Sequence, residues 1–195
     1  MDDHIGTTVV PRANDALLDG FDTPRLHLRP IGEGDEVLYC RLYTDPGLMR
    51  HIAEPMTMEA AKRSFQAALK QQSPTRQRWI VCGQGQAEGV GLVGLFVDKL
   101  EPDVAEIGVM LLSAGQGKGY GTESMAGVVD RAFTMMPLRL LWIRQNATNI
   151  AVDGMMTKLR FERGDSARIG SHERYWELIR ERWHPKPLEA AGQTG

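Results

Sequence analysis

Long apolar runs are missing from this sequence: none approaches the roughly 20 residues that a membrane-spanning helix needs, so a membrane is not expected as a partner. Cysteine is scarce. Cys40 and Cys82 stand far apart, without metal-ligand spacing, and read as reduced thiols of a cytoplasmic protein with no bound metal. There is no polybasic run, and the formal net charge is only −2, which argues against nucleic acid. The first residues, MDDHIGTTVVPRAND, lack the basic-then-apolar order of a signal peptide.

What is present is ordinary for a globular chain. The 195 residues are 42% apolar and 25% charged, enough for one domain with a buried core. Residues 1–22 read as an arm, 23–185 as the domain and 186–195 as a tail, with no internal repeat.

Leu26 to Ile31 alternates apolar and polar residues and predicts a first strand. Val37, Leu38, Leu42 and Tyr43 are spaced for a helix over Gly34 to Asp45, and a second helix begins at Thr57. Arg78–Gly83, Gly89–Leu100 and Ala105–Leu112 predict three strands in succession, Gly108 in the last of them suggesting a bulge or a close backbone approach. Met125, Val129, Ala132, Phe133 and Met136 line one face of a helix that Pro137 ends. A strand over Leu138 to Gln145, a short helix from Asn149 and two late strands, Phe161 to Ile169 and His172 to Trp183, complete the order β α α β β β α β α β β. Three strands in a row before a strand–helix–strand unit imply a mixed α/β sheet, not a doubly wound one.

Between the third of those strands and its helix, glycine occupies 115, 117, 119 and 121. Glycine costs more backbone entropy on folding than other residues, so the turn must need it. A loop entering a helix offers unpaired N–H groups and the positive end of the helix dipole, and without side chains an anion can rest on them. A turn that is glycine-rich for backbone reasons alone is the plainer alternative. A P-loop does not fit, because Gly119 stands where Ser or Thr is required and Leu112 replaces the first glycine. The dinucleotide fingerprint does not fit either, since Tyr120 or Ser124 falls where its last glycine belongs.

Gln116-Gly117-Lys118-Gly119-Tyr120-Gly121 matches Q/R-x-x-G-x-G/A. It resembles the coenzyme A loop of the GNAT superfamily of N-acetyltransferases. AEIGVMLLSAGQGKGYGTES is similar to the strand-loop-helix of the RimJ/RimL-type branch, whose pattern is close to EIGYWLxPxxQGKGYATEA. Asn149, Lys158 and Phe161 fall where that branch has N-x-x-S-x-x-V-L-E-K-x-G-F. The resemblance covers roughly Thr23 to Trp183.

The resemblance implies the GNAT fold, acetyl-CoA as co-substrate, and direct attack by an amine on the acetyl thioester. It places the backbone of Val109, Met110 and Leu111 along the pantetheine arm, on a strand that bulges and splays from its neighbour. Gln116, Gly117, Lys118, Gly119, Tyr120, Gly121 and Thr122 would hold the pyrophosphate, with Asn149 and Lys158 as further cofactor contacts. Asn149 reads equally as a helix N-cap. Met110 is the candidate N–H donor to the oxyanion. Glu106 is the candidate general base or ammonium-orienting carboxylate, with a half-exposed strand position as its alternative. His51, His172 and Glu173 are candidate acceptor-binding residues.

An α-amino group with pKa near 8 is already about one-tenth neutral at pH 7, whereas a lysine is neutral about once in 2,500 molecules and needs a base. The branch's usual proton donors to the leaving thiolate are replaced by Val152 and Met156, leaving water, Tyr120 or Tyr175. Arg160 stands in place of the glycine before Phe161, and Asp153-Gly154 falls inside the proposed helix, where it could instead form a hairpin turn. The acceptor is a protein N-terminus or an amine-bearing small molecule, and the chain a monomer or homodimer. Alternatives are an acyl-CoA-binding module without catalysis, or transfer of a longer acyl group past Met110, Met155 and Met156.

Overall fold

The strand β3 (Arg76–Gly83) is buried along all but its first residue. A strand with no exposed face must lie between two layers, so helices cover both sides of the sheet. The structure, a computed structural model, describes residues 18–146, 148–164 and 173–184. The tail, residues 1–17 of the arm, and His172 lie outside the described residues.

Eight strands form one mixed sheet. Their order is β1 (Phe21–Asp22), β2 (Leu26–Pro30), β3, β4 (Gly89–Val97), β5 (Val104–Leu111), β6 (Leu140–Asn146), β8 (Glu173–Ile179) and β7 (Glu162–Arg163). All neighbours run antiparallel except β5 and β6. The mixed α/β order predicted from the sequence is the one observed. Phe21, inside the segment read as an arm, already pairs in the sheet and meets Trp79 edge-on, with ring centroids 5.9 Å apart.

On one face, α4 (Tyr120–Met135) and α5 (Ile150–Lys158) pack against the sheet. Met125, Val129, Ala132 and Phe133 are buried there with Ala105, Ile107, Leu141 and Ile143. On the other face, α1 (Glu36–Thr44) and α3 (Met58–Lys70) bury Tyr39, Leu42, Phe65 and Ala68 against Ile80 and Leu92. The one-turn helix α2 (Pro46–Met49) links them and is capped by Asp45, whose side chain accepts from the Gly47 and Leu48 N–H groups. Thr57 caps α3 through the Ala60 N–H. Val37, counted on the apolar face of α1 from its spacing, is 72% exposed; Tyr39 and Cys40 are buried instead.

Two expectations change. Gly108 makes no bulge, because β4 and β5 stay in unbroken register from Val97↔Ala105 to Gly91↔Leu111. The register shift in this part of the sheet lies at Val81/Cys82 on β3. The last strand stops at Ile179 instead of running to Trp183, since Arg180 turns back and donates to the carbonyls of Phe133, Met136 and Leu138, satisfying the C-terminal end of α4.

Asp153-Gly154 is helical, not a turn. α5 ends in a Schellman arrangement: the Phe161 N–H bonds the Met156 carbonyl at 3.0 Å and the Arg160 N–H that of Thr157 at 3.1 Å. This puts Arg160 at φ 61°, the conformation glycine adopts freely and other residues adopt at a cost of roughly 1–2 kcal/mol. Arg160→Gly is therefore expected to raise stability by about 1 kcal/mol, a Tm increase of roughly 2–4 °C for a chain of this size. Gly154 is exposed and a Cβ there meets nothing within 4 Å, so Gly154→Ala should stabilise by up to about 1 kcal/mol. Thermal unfolding of both variants checks this; a lower Tm for Arg160→Gly would contradict the strain assigned to Arg160.

Candidate active site

β5 and β6 pair only over Val104–Glu106 and Leu140–Trp142. Beyond Glu106 the two parallel strands part, and the edge of β5 that faced β6 is left open. Backbone direction along that edge follows from the ladder with β4. The Leu112 N–H donates to the Val90 carbonyl at 2.9 Å, and the Asp98 N–H to the Val104 carbonyl at 2.8 Å. In an antiparallel ladder alternate residues bond the same neighbour. Glu106, Gly108 and Met110 therefore direct their N–H and C=O groups at β4, while Ile107, Val109 and Leu111 direct theirs to the other side, where the Ile107 N–H closes the last pair with Trp142 and Val109 faces the gap. The N–H of Met110, the candidate oxyanion donor, is directed at β4, and that of Val109 into the gap. The Leu111 carbonyl is already bonded, by the Gln116 side-chain amide at 2.8 Å.

The gap opens toward the glycine turn. Gly117 has φ 72° and Gly119 φ 80°, so both need glycine for their conformation. Gly119 is the N-cap of α4 and, having no side chain, caps nothing. The Glu123 N–H bonds the Gly119 carbonyl at 3.1 Å, whereas the N–H groups of Gly117, Gly119, Gly121 and Thr122 have no acceptor among the described residues. A Cβ at Gly117 would meet nothing within 4 Å, so open space lies beside these donors. Unpaired N–H groups, the positive end of a sixteen-residue helix and room for a ligand fit a pyrophosphate. Lys118 is exposed, with Nζ 5.9 Å from the centre of the Tyr120 ring. A Cβ at Gly115 would crowd Val90, and one at Gly121 would stand in ordinary contact with Leu111 and Met155.

Side chains alternate across the sheet, so Glu106, Gly108 and Met110 share the α1/α3 face. A Cβ at Gly108 would meet nothing within 4 Å, which leaves this face open at its centre. Glu106 sits at the fork where β5 and β6 part. Burial pushes its carboxyl above the usual range, the Arg144 guanidinium 3.2 Å away partly offsets this, and Glu173 adds to the rise. Glu173 begins β8 opposite Asn146 and thus belongs to the same face. From the loop after α2, His51 reaches across to the Thr148 hydroxyl (Nδ1 to Oγ1, 3.2 Å) and accepts from Arg50 Nε at 2.8 Å. Glu106, Glu173 and His51 are thus brought to one region.

Asn149 holds the N-cap position of α5, yet its side chain makes no capping bond. Lys158 is exposed three residues beyond Met155, one turn along the helix side that touches Gly121. Met156 is fully buried and does not line a mouth for a longer acyl chain. Asp153 explains why its helix position tolerates a glycine neighbour. It accepts from Gln145 Nε2 at 2.9 Å and from Arg174 at 2.7 Å, and Gln145 in turn accepts from the Trp176 indole at 2.8 Å. The network ties α5 to β6 and β8 and holds the Asp153 carboxyl below the usual range. Tyr175 is buried with its ring stacked on Trp142 at 5.4 Å, and Tyr120 lies at the turn under Arg25.

Two groups escaped sequence reasoning. Arg25, 98 residues from Glu123, bonds it and the turn; only its place next to the first strand hinted at this. Arg76 and Arg78 flank the Phe96 ring, at 5.2 and 4.9 Å, on the face that carries Glu106. A recess of about 520 Å³ lies elsewhere, near Phe133, Leu138 and Arg180, and its carbonyls are already bonded by Arg180.

Several solved structures share this fold. An acetyltransferase of the GNAT family from Bacillus anthracis is 20% identical, with TM-score 0.71, covering 83% of this chain and 99% of that one. RimL, a ribosomal L7/L12 alpha-N-protein acetyltransferase solved with coenzyme A, is 18% identical, with TM-score 0.68, covering 80% and 95%. Spermidine N-acetyltransferase from Vibrio cholerae, solved with CoA and spermine, is 17% identical, with TM-score 0.68, covering 80% and 96%. No curated protein matches the sequence. The model of the acetyltransferase (GNAT) domain matches residues 25–162. With that match spanning both the parted strands and the glycine turn, the chain belongs to the GNAT family of acetyl-CoA-dependent N-acetyltransferases.

Proposed function

We propose that the chain moves an acetyl group from acetyl-CoA to a primary amine by direct attack, both reactants being held at the fork between β5 and β6. One observation carries this reading. The backbone edge of β5 beyond its last pair with β6, with Val109 at its centre, leads from the N–H-rich turn at Gly117–Thr122 to the half-buried carboxylate of Glu106.

Acetyl-CoA supplies an activated acyl group. The protein's part is to hold the two reactants in line, which can itself contribute several kcal/mol. The turn takes the pyrophosphate, and the free edge of β5 pairs with the pantetheine amides. The Val109 N–H meets the negative charge that develops on the thioester oxygen. Glu106 receives or orients the amine proton, its raised pKa making it a better base than an exposed glutamate. Asn149 and Lys158 bind along the cofactor, while His51 and Glu173 shape the acceptor side. The acceptor is a protein N-terminus or a small amine, the two classes on which RimL and the Vibrio cholerae enzyme act. A second reading, acyl-CoA binding without catalysis, is favoured by Val152 and the fully buried Met156 at the positions of the usual proton donors. It predicts cofactor binding with no thiol release for any acceptor.

Titration calorimetry with acetyl-CoA should show micromolar binding that Gly119→Glu abolishes, since the new side chain strains the left-handed position and repels the anion. Unchanged binding would overturn the turn as the cofactor site. Glu106→Gln should lower kcat/KM by about 10²–10⁴-fold and remove the limb of the pH profile that rises as Glu106 ionises. The sign of its stability effect is opposite. A raised carboxyl contributes stability below the ordinary carboxylate range, and this is lost as pH rises through the raised value. The glutamine variant should therefore unfold at the same or a higher temperature than wild type at neutral pH. An unchanged pH profile would remove Glu106 from the reaction.

A further inference from the structure

Arg25 lies between β1 and β2 and makes a set of bonds that join it to both the glycine turn and the first turn of α4. Its backbone N–H donates to Glu123 Oε1 at 2.7 Å, its Nε to Oε2 at 2.7 Å, and its Nη2 stands 2.6 Å from Oε2. Thr23 Oγ1 adds a further bond to Oε1 at 2.7 Å. Nη1 donates to the Lys118 carbonyl at 2.9 Å, and the guanidinium lies 5.3 Å from the centre of the Tyr120 ring. The Arg25 side chain is 54% exposed and that of Glu123 14%, so the guanidinium holds a largely buried carboxylate while its own head stays open to solvent beside the turn.

We propose that Arg25, locked by Glu123, is a positioning residue of the pyrophosphate cradle, neutralising the Glu123 carboxylate and aiming the turn's N–H groups at the anion. The inference rests on the cofactor reading of the turn. Glu123 is an acidic residue in the first turn of α4, where it suits the helix dipole but opposes a second negative group. Arg25 cancels that charge from the side. The Lys118 carbonyl is the other half of the device. In a trans peptide the C=O and the next N–H point in opposite directions. Drawing the Lys118 carbonyl onto Arg25 therefore turns the Gly119 N–H away from Arg25. Gly119 also leaves room for the guanidinium, since a Cβ there would stand 3.2 Å from Nη2.

The test compares wild type, Arg25→Ala, Arg25→Lys, Glu123→Gln and Arg25→Ala/Glu123→Gln, all as full chains whose folding is checked by thermal unfolding. In calorimetric titration with acetyl-CoA, Arg25→Ala should raise Kd by roughly ten- to fiftyfold, the size expected for an uncompensated charge near an anion at a protein surface. Arg25→Lys should fall between, having the charge without the fork. Glu123→Gln should bind at least as tightly as wild type, and the double variant tighter than Arg25→Ala. S-acetylpantetheine, which lacks the pyrophosphate, separates charge and aim from general damage: its kcat/KM should be the same for Arg25→Ala as for wild type. Equal acetyl-CoA affinities of wild type and Arg25→Ala would overturn the role of Arg25. So would a double variant no tighter than Arg25→Ala, or equal losses with S-acetylpantetheine. No binding by wild type itself would overturn the cofactor reading instead.

Discussion

Where β5 and β6 stop bonding to each other, a row of backbone groups is left without a partner in the sheet. Buried or half-buried backbone groups are normally paired, so an open edge in the middle of a sheet needs either water or a ligand. The rest of the site depends on this. The ladder between β4 and β5 is regular on one side, which fixes that Val109 faces the gap and Gly108 and Met110 do not. The same ladder sets which side chains stand on which face, so Glu106 comes to the α1/α3 side while Ile107 enters the core under α4. One parting of two strands thus presents an open backbone edge and the face that carries Glu106 together.

Most of the machinery around the gap serves to hold it open at the right place. The Gln116 amide closes the end of β5 by bonding the Leu111 carbonyl. Arg174, Asp153, Gln145 and Trp176 fasten α5 to β6 and β8, on the far side of the gap. Arg180 anchors the other end of α4. These elements meet from strands and helices distant in sequence, which is why each appears as an isolated polar residue in the chain and not as a motif.

The electrostatics divide between the two ends of the gap. At the turn, backbone dipoles and cations meet, with Arg25 set against Glu123. At the fork, Glu106 and Glu173 are carboxylates brought near each other and moderated by Arg144. An anion at one end and a cation at the other match this arrangement.

The glycine spacing over 115–121, the apolar face of α4, the succession of three strands and the Asn149–Phe161 segment were legible because each rests on local backbone chemistry or on a periodicity of a few residues. Glycine at 117 and 119 answers to positive φ, and that requirement is written in the sequence itself. What the sequence could not carry was direction and distance. Gly108 reads as a bulge because glycine in a strand permits one, yet the register of β4 against β5 leaves no extra residue to form it. Met110 and Val109 are equivalent on paper; only their alternation against β4 decides which N–H faces the gap. Arg25 and Glu123 carry no shared pattern, being 98 positions apart, and meet because β2 is placed beside the N-terminus of α4. The elements and the glycine turn follow from local propensity and sterics and are written in the chain; which backbone groups stay unpaired, and which charges face them, depends on how distant strands are laid side by side and is settled only in the fold.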